Sequence, residues 1–432
     1  MSPRDRPRSY DRVVQSWTTP ELTPLPASTT PLRLFDTRSG HVAPVTPVEP
    51  GRARLYVCGI TPYDSTHLGH AATYHAADLM RRALVDTGLE VTTAQNITDV
   101  DDPLLERAER DGVDWREIAA SQVALFSEDM AALRIIAPET YRSVSEAMDE
   151  IIATVDALRE RGRAYQVPTP DAAGEDWYLD LGRDGALGDV SGWTEEQMLE
   201  VFAERGGDPD REGKRGRFDP LVWRAEREGE PAWDGGALGR GRPGWHVECV
   251  TIAEEGLGLP FDIQAGGSDL VFPHHDLSAA HSIALGRPFA AAYAHAGMVA
   301  HEGEKMSKSL GNLVFVHRLV RDGVDPMAIR LVLMAHHYRS DWEWSEAELE
   351  EAQRRLEGYR AAARRRDLRP DVVEALRAAL REDLDTPAAL AALDVWAAGG
   401  ELPEQTTGAL PADAPGDVAA AVDALFGITL VG

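Results

Sequence analysis

Leu55–Ile60 reads LYVCGI and runs straight into Thr61–His70, TPYDSTHLGH. A short apolar run that ends in glycine is the pattern of a buried strand. Pro62, Thr66 and Gly69 are the residue types of a turn and a helix start. From Gly69 to Asp86 the apolar residues Tyr74, Leu79, Met80 and Leu84 recur at helical spacing, and Gly88 ends the pattern. Glu90–Ile97 then reads as a second strand. Strand, helix and strand of these lengths predict a βαβ unit and a parallel sheet, hence an α/β fold of the doubly wound kind.

Outward from this unit the chain divides by composition. Its 432 residues exceed one typical domain. A hydrophobic share of 43% with 27% charged residues is that of a globular protein and excludes wholesale disorder. No uncharged apolar run reaches membrane-spanning length, and MSPRDRPRSYDR is not followed by an apolar signal core. A cytoplasmic location without membrane contact is therefore expected. Residues 1–30, rich in Pro, Ser and Thr, read as a mobile extension. Residues 103–165 read as mostly helical, and 168–243, rich in Gly, Pro, Asp and Trp, as an insertion. Phe261–Gln264 reads as a strand and Glu346–Asp394 as two or more helices. The net charge of −28 argues against a protein built mainly to grip nucleic acid. The stretch Glu382–Gly432 holds nine acidic residues and no lysine or arginine. The arginines between Arg354 and Arg369 read as a solvated helix face beside Glu350, Glu351 and Glu357 rather than a phosphate patch.

Three groups of residues carry chemistry. The first is His67-Leu68-Gly69-His70, placed where the helix begins. Free N–H groups and the positive dipole end of a helix attract phosphate there, and two imidazoles can donate to its oxygens. A plain helix start with exposed imidazoles, or an HxxH metal pair, fits the same four residues. The second is Lys305-Met306-Ser307-Lys308-Ser309, between Gly303 and Gly311. Only three of the 44 basic residues are lysine, Lys214, Lys305 and Lys308, and two of them stand in this loop. Paired ammonium groups suit a leaving pyrophosphate. The third is Cys58, Cys249 and the turn Phe272-Pro273-His274-His275. Two cysteines give no disulfide framework. They read either as buried apolar residues or as part of a zinc site assembled from distant segments.

Together HLGH (67–70) and KMSKS (305–309) resemble the two signature motifs of the class I aminoacyl-tRNA synthetases. CGITPYDSTHLGHA (58–71), QNITDVDD (95–102), GWHVEC (244–249), GGSDLVFPHH (266–275) and HAGMV (295–299) resemble the cysteinyl branch. The form CGITPYD and the stretch ERGGDP (204–209) are most similar to a sister family, the cysteine:glucosaminyl-inositol ligases of mycothiol biosynthesis. The resemblance spans roughly residues 32–395. It implies a class I synthetase-type, Rossmann-like sheet divided as follows: 31–135 first catalytic half, 136–243 connective insertion, 244–290 second half, 291–345 KMSKS-loop domain and 346–432 C-terminal helical bundle.

It further implies one Zn²⁺ per chain on Cys58, Cys249 and His274. Ser278 stands where the tRNA synthetases place a fourth ligand. His67, His70, Lys305 and Lys308 are implied as catalytic. Cys58, Gly59, Ile60, Thr61, Thr73, Asn96, Ile97, Thr98, Trp245, Gly267, Ser268, Asp269 and Val299 are implied around a cysteinyl-adenylate. For Asn96 and Ser268 a turn hydrogen bond, and for Thr73 simple packing, compete with that role. The implied activity is an ATP-dependent, AMP- and pyrophosphate-forming carbon–nitrogen ligation. Its partners are ATP with Mg²⁺, L-cysteine and glucosaminyl-inositol, in a monomer that does not bind tRNA. The rival readings are a cysteinyl-tRNA synthetase and a non-catalytic zinc- and cysteine-binding sensor.

Overall fold

The computed structural model describes residues 14–63, 66–182, 186–306, 311–403 and 415–431, with Lys305 described through its backbone. At its centre lies a five-stranded sheet. Its strands in spatial order are Ala290–Ala296, Phe261–Gly267, Arg52–Val57, Glu90–Ile97 and Thr140–Ser143. All four neighbouring pairs are parallel. The expected strand–helix–strand is present as Arg52–Val57, helix Leu68–Asp86 and Glu90–Ile97.

The sheet is covered on both faces, and the alternation along one strand shows it. Leu55 and Val57 join one core with Leu68, Ala71, Leu79 and Met80 of the first helix. Tyr56 and Cys58 join the other with Val247, Val250 and Ile252 of helix Trp245–Leu257. A strand buried on both sides loses the apolar–polar alternation and reads as a continuous apolar run, which is why LYVCGI was legible. The chain reverses direction across the sheet between Arg52–Val57 and Phe261–Gly267. In doubly wound sheets that reversal leaves a crevice at the carboxyl ends of the two strands, where ligands bind. Cys58 directly follows one of these strands and Gly267 ends the other.

The structure departs from the sequence expectations in three places. Thr140–Ser143 lies inside the segment expected to be helical and inserted, yet it is the edge strand of the central sheet. Likewise Ala290–Ala296 closes the opposite edge instead of belonging to the KMSKS region. Four residues such as TYRS carry too little pattern to be read as a strand. Third, residues 14–30 have no regular structure but are anchored. Trp17 is buried, its Nε1 donates to the Ile135 carbonyl at 2.8 Å, and its ring meets Phe126 and Tyr141 edge-on.

The insertion between Thr140–Ser143 and Phe261–Gly267 holds its own antiparallel sheet. Its order is Ala164–Val167, Asp176–Leu179, Leu221–Ala225, Arg240–Pro243 and Trp233–Asp234. These strands have two to five residues each, too few for a readable period. Lys214 belongs to this layer. Its Nζ binds Asp208 Oδ1 at 2.7 Å and the Arg217 carbonyl at 2.9 Å, which makes it structural.

After the central sheet, Val299–His301 pairs with Glu304–Lys305 and Trp342–Glu343. Helices Glu346–Ala363, Pro370–Arg381, Thr386–Ala397 and Val418–Phe426 follow. Leu356, Leu376, Leu390, Trp396 and Phe426 merge into the core that holds the first helix. Among the described residues no helix is long and apolar enough to cross a membrane.

One buried ion cluster joins this C-terminal half to the first helix. Asp78 binds Arg82 Nε at 2.8 Å and Arg330 Nη2, from helix Pro326–Met334, at 2.7 Å. Burial alone raises the Asp78 pKa, but Arg82 and Arg330 outweigh it and hold the carboxyl well below its usual range. Removing the single anion strands two guanidinium groups in the interior, so Asp78→Ala is expected to cost about 3–5 kcal/mol. Denaturant unfolding of the variant reads this directly, and an unchanged midpoint contradicts it.

Candidate active site and metal centre

Cys58, Cys249 and His274 come from three separate elements. Cys58 follows the central strand, Cys249 sits in helix Trp245–Leu257, and His274 lies in the turn Val271–His275. Their ligand atoms lie within 4.8 Å of one another, all three residues are buried, and this is the one such cluster among the described residues. The His274 Nε2 is 3.2 Å from Cys249 Sγ. The Cys58 Sγ, hydrogen-bonded to Cys249, and burial together push the Cys249 thiol upward. Two buried sulfurs therefore cannot both be anionic unless a cation sits among them. Sulfur, sulfur and imidazole nitrogen are the donors that a tetrahedral zinc takes, with bonds of about 2.3 Å and 2.0–2.1 Å. The donor set thus fits the implied metal.

The surroundings orient these donors. His274 Nδ1 is 3.0 Å from His246 Nδ1, and burial lowers the His246 pKa, so that ring is neutral. A proton on His274 Nδ1, shared with His246, leaves Nε2 free to donate its lone pair. The Trp245 ring stacks on His274 at 4.3 Å. On the other side Cys58 Sγ is 3.2 Å from His275 Nε2. His275 Nδ1 meets His295 Nε2 at 2.7 Å, and His295 Nδ1 meets Thr37 Oγ1 at 2.7 Å. Ser278 Oγ binds the His274 carbonyl at 2.7 Å, so that hydroxyl serves the helix backbone and the cluster has three protein donors.

Beside the cluster the segment Cys58–Thr61 is clamped to the end of strand Glu90–Ile97. Asn96 Oδ1 accepts from Tyr56 Oη at 3.0 Å and from the Gly59 N–H at 2.7 Å. Its Nδ2 donates to Thr98 Oγ1 at 3.0 Å, and the Thr98 N–H donates to the Ile60 carbonyl at 3.0 Å. Gly59 is required here, because a Cβ on it would lie 1.6 Å from the Asn96 carbonyl oxygen. Thr61 Oγ1 donates to Asp101 Oδ2 at 3.3 Å. Ile60, Ile97 and Thr98 are buried, while Gly59 and Thr61 are half-exposed. Across the crevice, Thr73 Oγ1 donates to the Gly69 carbonyl at 3.3 Å and would lie 3.8 Å from a Cβ on Gly267. Ser268 and Asp269 form the short turn that follows Gly267.

His67 is the N-cap of the first helix. Its Nδ1 accepts from the Gly69 N–H at 3.1 Å, and its ring lies 4.0 Å from that of His70. His67 also bridges Phe315, and the Leu68 N–H donates to the Val314 carbonyl at 2.9 Å. The HLGH helix start is thus tied to the chain just beyond KMSKS. Before that loop, Lys305 pairs with Ala300, and the Met306 N–H donates to the buried Val299 carbonyl at 3.3 Å. Asn312 Nδ2 closes the loop base by donating to the His301 carbonyl at 2.9 Å. Lys308 lies outside the described residues.

The structure therefore gathers the metal-type donors in one cluster and links Gly59, Ile60, Asn96 and Thr98 beside it. Several partners were not singled out from sequence: Tyr56, Asp101, His246 as a second partner of His274, the His275–His295 pair and Arg205. Arg205, from ERGGDP, donates to the Asp269 carbonyl at 2.9 Å and to that of Phe272, bracing the turn that carries His274. The HH pair in FPHH is a visible signal, but the contact of His275 with His295, 20 residues away in strand Ala290–Ala296, is not. From the donor cluster we expect metal analysis to find one ion per chain. A Cys58→Ala, Cys249→Ala double variant that keeps full occupancy contradicts the assignment.

Residues 44–354 match the family model described as tRNA synthetases class I (C) catalytic domain. The chain is 78% identical over 417 residues to a Brachybacterium faecium protein named L-cysteine:1D-myo-inositol 2-amino-2-deoxy-alpha-D-glucopyranoside ligase, covering 96% of this chain and 100% of that one. A Streptomyces coelicolor protein of the same name is 54% identical, with 96% and 100% covered. Among solved structures, Mycobacterium tuberculosis methionyl-tRNA synthetase with methionyl-adenylate superposes at a TM-score of 0.57 and 17% identity, covering 80% of this chain and 81% of that one. Agrobacterium radiobacter leucyl-tRNA synthetase, in complex with tRNA, gives 0.59 at 12% identity, with 88% and 83% covered. The last two likenesses concern the fold. The chain belongs to the class I tRNA synthetase (C) family, and within it to the group whose members are named L-cysteine:1D-myo-inositol 2-amino-2-deoxy-alpha-D-glucopyranoside ligases.

Proposed function

We propose that the chain activates L-cysteine with ATP, as cysteinyl-AMP with release of pyrophosphate, and transfers the cysteinyl group to the amine of glucosaminyl-inositol. The products of the second step are an amide and AMP. The observation that carries this reading is the buried Cys58, Cys249, His274 cluster at the crevice of a synthetase-type sheet, in a chain matching the ligases over 96% of its length.

Each residue group has a role in the reading. His67 and His70, at the N-terminus of helix Leu68–Asp86, hold the α-phosphate with the help of the helix dipole. Lys305 and Lys308 neutralise charge on the departing pyrophosphate, and Mg²⁺ accompanies ATP on phosphate oxygens. Thr61, Thr73, Asn96 and Thr98 line the amino-acid side of the crevice. Trp245, Gly267, Ser268, Asp269 and Val299 hold the rest of the adenylate. Cys58, Cys249 and His274 hold zinc, which when bound supplies a ligand position for the thiolate of the substrate. A sensor that only binds cysteine has no use for the two lysines.

The acceptor follows from charge. The stretch Glu382–Gly432 offers no base to a phosphate backbone. Several of the arginines that precede it are paired within the chain: Arg354 with Glu351, Arg355 with Glu351 and Asp394, Arg360 with Asp325, and Arg369 with Asp371. A small amino-sugar needs only space beside the adenylate, whereas tRNA needs a row of phosphate contacts. Among the described residues the exposed large apolar side chains, Leu22, Val48, Val85, Val113, Leu368 and Val431, are scattered singly along the chain, in keeping with a monomer.

Cysteine-dependent ATP–pyrophosphate exchange tests the first step. A pocket that judges only size and polarity separates close analogues by about 10²-fold. A metal that binds thiolate but scarcely a hydroxyl adds to that, so exchange with serine is expected more than about 10²-fold below exchange with cysteine. Comparable exchange with both amino acids contradicts the reading of the cluster.

A further inference from the structure

Forming an amide from an amine requires the nitrogen to lose a proton, and none of the residues assigned so far takes it. We propose that Asp101 is the general base of the transfer step, an assignment that rests on the transfer reading above. In that step the amine lone pair forms the new C–N bond at the cysteinyl carbonyl. The bond between that carbon and the phosphate oxygen breaks, AMP leaves with its electron pair, and the surplus proton on nitrogen passes to a carboxylate oxygen of Asp101.

Several carboxylates stand near the carboxyl end of strand Glu90–Ile97, and those other than Asp101 are unsuited. Glu146 holds the Val14 and Ser143 N–H groups. Asp99 is buried and holds Ser145 through both its oxygens. Asp102 is paired with Arg242. Glu248 is 1% exposed and adjoins Cys249, so no acceptor reaches it. Asp101 differs in placement and in commitments. It is half-exposed at the carboxyl end of the central strands, where ligands bind in this sheet type. One oxygen caps the following helix through the Asp102 N–H at 2.9 Å. The other accepts from Thr61 at 3.3 Å, a long bond to the segment that begins at Cys58. That contact places the carboxylate beside the clamped Cys58–Thr61 stretch, and Arg242, the cation that acts on it, is already paired with Asp102 and Glu230.

The environment also suits the task. Burial, and Asp102 beside it, raise the Asp101 pKa to about 6, against the lowering effects of its helix-cap bond, Arg242 and Thr61. Glu248, from helix Trp245–Leu257, faces it as a further acidic neighbour. A base that is ionised at neutral pH yet more basic than an ordinary carboxylate transfers protons efficiently.

Asp101→Asn keeps the size and, through Oδ1, the helix cap; its Nδ2 then faces Thr61 and donates to the hydroxyl oxygen, and the basic oxygen is gone. The test compares zinc-loaded wild type and variant in three readouts: ATP–pyrophosphate exchange, trapping of the adenylate by hydroxylamine, and single-turnover transfer to glucosaminyl-inositol. Hydroxylamine is a weak base whose nitrogen attacks without such help. We expect exchange and trapping to stay within about threefold of wild type while transfer near pH 7.5 falls by about 10²-fold or more. The wild-type carboxyl is protonated at lower pH, so the ratio of the two transfer rates should shrink toward one as pH falls through about 6. Transfer by the variant within about threefold of wild type near pH 7.5 overturns the assignment. So does an equal fall in all three readouts, which makes Asp101 a positioning residue for Thr61. Wild-type protein that is trapped by hydroxylamine yet forms no amide with glucosaminyl-inositol overturns the acceptor reading itself.

Discussion

Two buried sulfurs and one imidazole nitrogen, held within 4.8 Å at the end of a parallel sheet, impose the constraint around which this molecule is arranged. With both sulfurs as thiolates such a group is unfavourable in the interior unless a cation sits among them. Its donors come from positions 58, 249 and 274, so the sheet, the second covering helix and the turn after Gly267 must all be in register for it to exist. The surrounding imidazoles satisfy the same demand. His246 fixes the proton on His274, and His275 with His295 holds the Cys58 sulfur in a chain that ends at Thr37.

The other elements hold this crevice in shape. The insertion does so through Arg205, which grips the carbonyls of Asp269 and Phe272. It is also held by Asp276, whose carboxylate accepts from the Val190 N–H at 2.8 Å and the Ser191 N–H at 3.2 Å. Opposite, the ion cluster at Asp78 and the pairing of His67 with Phe315 tie the first helix to the chain that follows KMSKS.

Much of this was legible in the chain. LYVCGI betrayed itself as a doubly covered strand because neither face meets water, and the first helix and Glu90–Ile97 followed from their periods. The scarcity of lysine singled out one loop, and Lys214, the remaining lysine, is accounted for by its bonds to Asp208. What was hidden is of two kinds. Strands of two to five residues, in the insertion and at Thr140–Ser143, are shorter than any readable period. Long-range partners leave no local trace: Trp17 is anchored by Ile135, and Asp101 reads in sequence as nothing more than a helix cap before Asp102-Pro103. The two cysteines stood between, since only their convergence distinguishes metal donors from buried apolar residues.

The central claim is that a synthetase-type crevice here serves a small amine in place of a nucleic acid. It is tested most directly by offering preformed enzyme-bound cysteinyl-adenylate both acceptors at once, glucosaminyl-inositol and cysteine-accepting tRNA, and identifying the products of a single turnover. The account predicts that the cysteinyl group appears as the amide of the amino-sugar, with AMP released in equal amount and no cysteinyl-tRNA formed. Cysteinyl-tRNA produced at a rate comparable to the amide would contradict it.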